Sequence, residues 1–146
     1  MTGSCPAGSP ITPRRAVSVH RVIMTASVVA LVLLAALAVF QGLLVAGLPL
    51  GRFAWGGQNE VLPVGLRIGS VVSIGLYAAF AVLILQAAGA LSLLPAGFVD
   101  VAIWVLAGWF VLGIGMNAIS RSRHERMVMT PVVAILAAAC LVLALG

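Results

Sequence analysis

The sequence predicts an all-α protein, a transmembrane bundle of four helices. Its 146 residues are 63% hydrophobic and only 8% charged, whereas a soluble globular domain carries about 25% charged residues. Four apolar runs are each near the roughly 20 residues that a helix needs to cross a bilayer. All the arginines and carboxylates lie outside these runs or at their edges. The predicted spans are residues 22–47, 68–89, 101–119 and 127–145.

The first span follows a segment, residues 1–21, that we expect to be a disordered basic tail. Its beginning is rich in Gly, Pro, Ser and Thr and lacks an apolar period. A cleaved signal peptide is the alternative interpretation, because residues 36–38 (Ala-Leu-Ala) resemble a cleavage site. We favour a retained helix, since the apolar run continues well beyond that site. The basic collar before the span consists of Arg14, Arg15, His20 and Arg21.

Turn-forming residues separate the later spans, which together make up a single transmembrane domain over residues 22–146. Pro49 follows the first span, and Pro63 precedes the second. Before the third span, the carboxylate of Asp100 is expected to cap the helix and to favour its N-terminal dipole. Pro131 is expected in the first turn of the fourth helix, where a missing N–H costs little.

The net charge of +5 comes from arginines that flank the hydrophobic spans. Cationic side chains in that position meet lipid phosphates, so the charge indicates contact with the bilayer and no nucleic-acid partner. The two cysteines, Cys5 and Cys140, are too far apart for a Cys-x-x-Cys redox pair. His124 has no second ligand type clustered near it. We therefore expect no metal, no cofactor and no catalytic residue.

The arginine count predicts an orientation in the membrane. With four spans, both termini lie on one side, and the two arginine-bearing loops lie on the other. The loops carry five arginines against three before the first span, and arginine excess marks the cytoplasmic side. We therefore expect a multi-pass protein of the bacterial plasma membrane with extracytoplasmic termini. The basic collar argues for the reverse, because the first helix often dominates orientation.

Polar residues concentrate at the membrane face that bears these two loops. On the second span, polar side chains recur at three- and four-residue steps from Arg67 to Tyr77, a stripe about 15 Å long. Polar groups kept in hydrocarbon usually face the bundle interior or a watery crevice, and guanidinium groups around a crevice bind phosphate or carboxylate well. The candidate ligand-binding residues are Arg52, Glu60, Arg67, Ser70, Tyr77, Asn117, Arg121, Arg123, Glu125 and Arg126.

Each of these residues also has an ordinary structural explanation. Arginines at helix ends snorkel to the interface. Glu60 is a natural partner for Arg52, and Arg121 stands four residues before Glu125, the spacing of a helical ion pair. Serines in spans can bond their own backbone, and Asn117 can join two helices.

Three motifs resemble those of a group of small four-span bacterial membrane proteins. They are PLGxxAWGG at residues 49–57, LPxxLR at residues 62–67 and NxISRSxxER at residues 117–126. The resemblance covers about residues 47–131. It implies the four-helix architecture and marks the two same-side loops, but it implies no activity.

The sequence therefore favours a non-enzymatic membrane protein that acts through its arginine-bearing face, binding anionic phospholipid or a larger membrane partner. Two alternatives stay open. A small transporter or channel subunit, working as a homo-oligomer, would use the polar stripe of the second span as part of its path. A lipid-modifying enzyme would use Glu60 or Glu125 as acid or base, although a carboxylate beside several arginines should be ionised.

Overall fold

The computed structural model describes residues 13–146, with residues 13–16 described as backbone only. Within that range every regular element is helical, which confirms the predicted fold class. The four long helices are α1 (Pro13–Val45), α2 (Val64–Ala87), α3 (Ala96–Ala118) and α4 (Arg123–Leu145). Each is long and apolar enough to cross a membrane, the architecture of a multi-pass membrane protein. Two short 3-10 turns, Gly51–Phe53 and Trp55–Gly57, lie between α1 and α2.

Helix α1 begins well before the predicted span. Residues 13–21 are its first turns, so the predicted disordered tail is wrong over that stretch, while residues 1–12 lie outside the described part of the chain. Proline is pre-organised for the first position of a helix, and no Gly or Pro interrupts residues 14–21. At 1.5 Å per residue, the 33 residues of α1 reach about 50 Å, beyond the roughly 30 Å hydrocarbon core.

Two expected features of α3 and α4 are wrong because both helices start earlier than their apolar runs. The residue before α3 is Pro95, so Asp100 lies inside the helix, exposed, and does not cap it. Helix α4 starts after Ser122, whose hydroxyl accepts a hydrogen bond from the Glu125 N–H at 3.3 Å. Pro131 is therefore in the interior of α4, where its missing N–H removes one helical hydrogen bond.

The helices form two close pairs, α1 with α2 and α3 with α4. Helix α1 also packs on α4, while α2 and α3 are in much smaller contact although they are consecutive in the chain. Side chains from all four helices meet in one core that includes the fully buried Leu34, Ile84, Ile103 and Leu136. The outer surface is apolar as well: Leu112, for example, is 71% exposed. An apolar surface this extensive is typical of contact with lipid.

The segment between α1 and α2, residues 46–63, is folded against the helices. Its Ala54 and Leu62 are buried against Leu44 of α1, in a small second core. The Gly51 N–H donates to the Glu60 carbonyl at 2.9 Å, which brings the two halves of the segment together. We call this segment the α1–α2 loop. Because it has its own core, it holds a fixed shape at the end of the bundle.

Candidate functional site

The α1–α2 loop is hydrogen-bonded to the turn between α3 and α4, residues 119–122. The Ser122 hydroxyl donates to the Arg52 carbonyl. The Glu125 carboxylate accepts from the Gly56 N–H at 3.0 Å and from the Ser120 hydroxyl. We call these five residues the clasp and this end of the bundle the loop end. The clasp joins the connection within one helix pair to the connection within the other.

Close backbone approach at the clasp depends on Gly57. Its φ is +68°, a left-handed conformation that favours glycine. A Cβ atom placed there would lie 2.6 Å from Ser122 Oγ and 3.0 Å from the Arg52 carbonyl oxygen. Only a residue without a side chain fits between the loop and the turn at this point.

Trp55 attaches the same loop to α2. Its indole N–H donates to the buried hydroxyl of Ser70 at 3.3 Å, and its ring covers Gly69, where a Cβ atom would lie 2.7 Å from the ring. Trp55 also has a φ of +55°, which is uncommon for a residue with a side chain. The contacts with Ser70 and Gly69 hold this conformation in place.

Most of the polar stripe on α2 takes part in such local contacts. The Arg67 Nε–H donates to the Leu62 carbonyl at 2.8 Å, and the Ser73 hydroxyl donates to the Gly69 carbonyl at 3.0 Å. Ser70 accepts from Trp55, as described above. Tyr77 is the member of the stripe that lines a cavity.

The arginines of the loop end are mostly exposed. Among the described residues no arginine forms an ion pair with a carboxylate, so the expected Arg52–Glu60 and Arg121–Glu125 pairs do not form. Glu125 is engaged by the clasp, and Glu60 is exposed. The guanidinium carbon of Arg52 lies 4.9 Å from the centre of the Phe53 ring. The remaining exposed guanidinium groups are those of Arg121, Arg123 and Arg126.

A cavity of about 500 Å³ adjoins the clasp, with walls from all four helices and the α1–α2 loop. Its charged residues, Arg121 and Glu125, are at the loop end. The uncharged polar residues Gln41, Tyr77 and Asn117 belong to α1, α2 and α3, and Ser120 lies on the α3–α4 turn. The rest of the wall is largely apolar and includes Leu37, Phe40, Phe53, Ala54, Met116, Ile119, Met129 and Val133.

The polar groups of this cavity differ in how well they are satisfied. The Asn117 amide N–H donates to the Gly113 carbonyl at 2.8 Å. Gln41 is only 8% exposed, and its Oε1 has no hydrogen-bond partner among the described residues. The hydroxyl of Tyr77 is close to the Gln41 side chain. A buried carbonyl oxygen without a donor is unusual, because most buried polar atoms are hydrogen-bonded.

The structure divides the predicted site residues into two groups. Tyr77, Asn117, Arg121 and Glu125 line the cavity. The others lie outside its wall, either on the surface of the loop end or in the local contacts described above: Arg52, Glu60, Arg67, Ser70, Arg123 and Arg126.

Sequence reasoning missed several residues of this region. The sequence does mark Gln41, because an amide inside an apolar span is costly and is usually functional or buried. Trp55, Gly56 and Ser120 lie in the motifs at residues 49–57 and 117–126, but the motifs assign them no role, since their roles depend on contacts between distant segments. Within the described residues, no three His, Cys, Asp or Glu side chains come close enough to hold a metal ion.

Comparisons with protein-family models, curated proteins and solved structures find no match to this chain. The arguments for its function therefore come from the site itself.

Proposed function

We propose that this chain is a non-enzymatic membrane protein that binds anionic phospholipid at its loop end. The observation that carries the proposal is the group of exposed arginines, Arg52, Arg121, Arg123 and Arg126, which have no carboxylate partner among the described residues. Guanidinium groups pair bidentately with phosphate. At the interface of a membrane they meet lipid headgroups directly.

The clasp supports this proposal by fixing the geometry of the arginines. Arg52 is on the α1–α2 loop, whereas Arg121 is on the α3–α4 turn and Arg123 is the first residue of α4. The hydrogen bond from Ser122 to the Arg52 carbonyl holds the two segments together. A pre-organised group of cations loses less conformational freedom on binding than one on mobile loops.

The two alternative functions have less support. A polar path along α2 would need free polar groups, but Arg67, Ser70 and Ser73 are each bonded to neighbouring groups. A general acid or base needs a carboxylate within reach of a substrate. Glu60 is outside the cavity wall, and Glu125 holds the clasp.

Native mass spectrometry of the detergent-purified protein tests the proposal. Each arginine near an anionic surface contributes about 1 kcal/mol, so the combined change Arg121→Gln, Arg123→Gln and Arg126→Gln should weaken the preference for phosphatidylglycerol over phosphatidylcholine at least about tenfold. Arg21→Gln, at the other end of α1, is the matched control and should leave the preference unchanged. Equal binding of both lipids by the unsubstituted protein would overturn the proposal. A co-purifying membrane protein lost with the same three substitutions would instead identify a protein partner.

We further propose that the loop end faces the cytoplasm of a bacterial cell, with both termini outside. The support is the excess of arginines in the two connections that the clasp holds at one end. A reporter that is active only outside the cytoplasm should be active when fused after Gly146. A reporter that is active only in the cytoplasm should be silent there, and activity of the second fusion would contradict the orientation.

A further inference from the structure

We propose that the cavity beside the clasp binds a neutral lipid through a hydroxyl on its headgroup. This inference goes beyond the proposed function, because it concerns the uncharged polar groups of the cavity wall, Gln41 and Tyr77, and not the exposed arginines. It depends on the unpartnered acceptor of Gln41, on the composition of the cavity wall and on the position of the cavity within the spans.

The cavity has the size and composition of a small-molecule site. Its volume of about 500 Å³ falls within the roughly 300–1,000 Å³ of ordinary ligand pockets, which are mostly apolar with a few convergent polar groups. Here the apolar wall includes Leu37, Phe40 and Met116, and the convergent polar groups are Gln41 and Tyr77. A molecule with an apolar body and one polar end fits this arrangement.

The unpartnered Oε1 of Gln41 determines which chemical group the polar end of the ligand must carry. Gln41 Oε1 is a hydrogen-bond acceptor, so its ligand must supply an O–H or N–H. An anionic headgroup would place oxygen against oxygen. A cationic headgroup would need a carboxylate, but Glu125 is at the loop end of the cavity and already accepts two hydrogen bonds. A neutral hydroxyl both satisfies the acceptor and avoids the cost of charge at membrane depth.

The side chain that carries the acceptor belongs to the cavity wall. The terminal torsion of a glutamine amide is broad and roughly two-fold, so rotation of the amide can turn Oε1 toward a ligand. The Tyr77 hydroxyl, close to Gln41, can donate to or accept from the same headgroup. Two adjacent polar groups on different helices therefore recognise one hydroxyl.

The ligand that fits this cavity has a hydroxyl on an apolar body. Both glycerolipids and isoprenoid alcohols have this chemistry. Dioleoylglycerol and geranylgeraniol, each paired with its methyl ether, are suitable probes for the two sources. The unsubstituted protein in detergent should bind one of the alcohols roughly tenfold more tightly than its ether, the effect of about one hydrogen bond. The bound fraction is measured by native mass spectrometry, and the preferred alcohol identifies the source.

Gln41→Leu should abolish the preference for alcohol over ether while leaving the protein folded, because it removes the unpartnered Oε1 and replaces the amide by an apolar group of similar size. Its thermal midpoint without added lipid should stay close to that of the unsubstituted protein. Ser27→Ala is the matched control: Ser27 is also buried on α1, but its hydroxyl donates to its own helix at Ile23 and lies outside the cavity wall. It should retain the preference.

Equal affinity for alcohol and ether in the unsubstituted protein would overturn the inference. A preference for alcohol over ether that survives Gln41→Leu would also overturn it. So would a lower thermal midpoint of Gln41→Leu together with an equal loss of alcohol and ether binding, because Gln41 would then be a structural residue. The preference for anionic lipid provides a separate readout. Gln41 is uncharged and buried, whereas the arginines are charged and exposed, so Gln41→Leu should leave that preference intact.

Discussion

Gly57→Ala is expected to separate the α1–α2 loop from the α3–α4 turn. The left-handed backbone of residue 57 is strained for alanine, and the new methyl group would lie 2.6 Å from Ser122 Oγ. Backbone strain of this kind costs about 1–3 kcal/mol, and overpacking costs a further 1–3 kcal/mol or so. We therefore expect the free energy of unfolding to fall by about 2–6 kcal/mol, measured by denaturant titration in mixed micelles.

Gly56→Ala isolates the backbone part of this effect. Gly56 also has a positive φ, +80°, but a Cβ atom there would meet nothing within 4 Å. This control should cost only the strain, about 1–3 kcal/mol. If the two substitutions destabilise the protein equally, the close approach of Gly57 to Ser122 is not a real constraint on the fold.

Glu125→Ala is expected to produce the second large loss. The substitution removes the acceptor for both the Gly56 N–H and the Ser120 hydroxyl. Hydrogen bonds to a charged group contribute about 1.5–3 kcal/mol each, and the partial exposure of Glu125 reduces that value. We expect a loss of about 2–4 kcal/mol in the free energy of unfolding, with a smaller loss for Glu125→Gln, which keeps one acceptor oxygen.

Amide hydrogen exchange at Gly56 tests the same prediction locally. The exchange rate should rise in Glu125→Ala, because the N–H loses its acceptor. Glu60→Ala is the matched control, since Glu60 is an exposed glutamate of the same loop end. It should change neither the exchange rate nor the unfolding free energy by more than about 0.5 kcal/mol. Unchanged exchange in Glu125→Ala would show that the clasp does not protect the loop.

The helices could be predicted from the sequence because a bilayer imposes a simple requirement on length and polarity. The residues at which the helices start could not be predicted in this way. Hydropathy locates apolar residues, whereas a helix starts where its first N–H groups are satisfied, as Ser122 does for α4. Hydropathy therefore places the polar first turns of α1 and α4 in a tail and in a loop.

The candidate site was only partly predictable, for a physical reason visible at Glu125. Its four-residue spacing from Arg121 predicted a helical ion pair, but α4 begins at Arg123, so that spacing does not apply. The actual partner is a backbone N–H 69 residues away, and side-chain patterns carry no information about it. Gln41 shows the opposite case, because a lone amide in an apolar span is visible in the sequence.

The unequal packing of the helices has a consequence for how the protein is assembled. Helices α1 and α2 form one tight hairpin, α3 and α4 form another, and the contact between α2 and α3 is small. Since membrane helices form first and associate afterwards, each hairpin is a natural unit of insertion during biogenesis. The Gly56–Glu125 bond links the first hairpin to the second, so it can form only after the two hairpins have packed together.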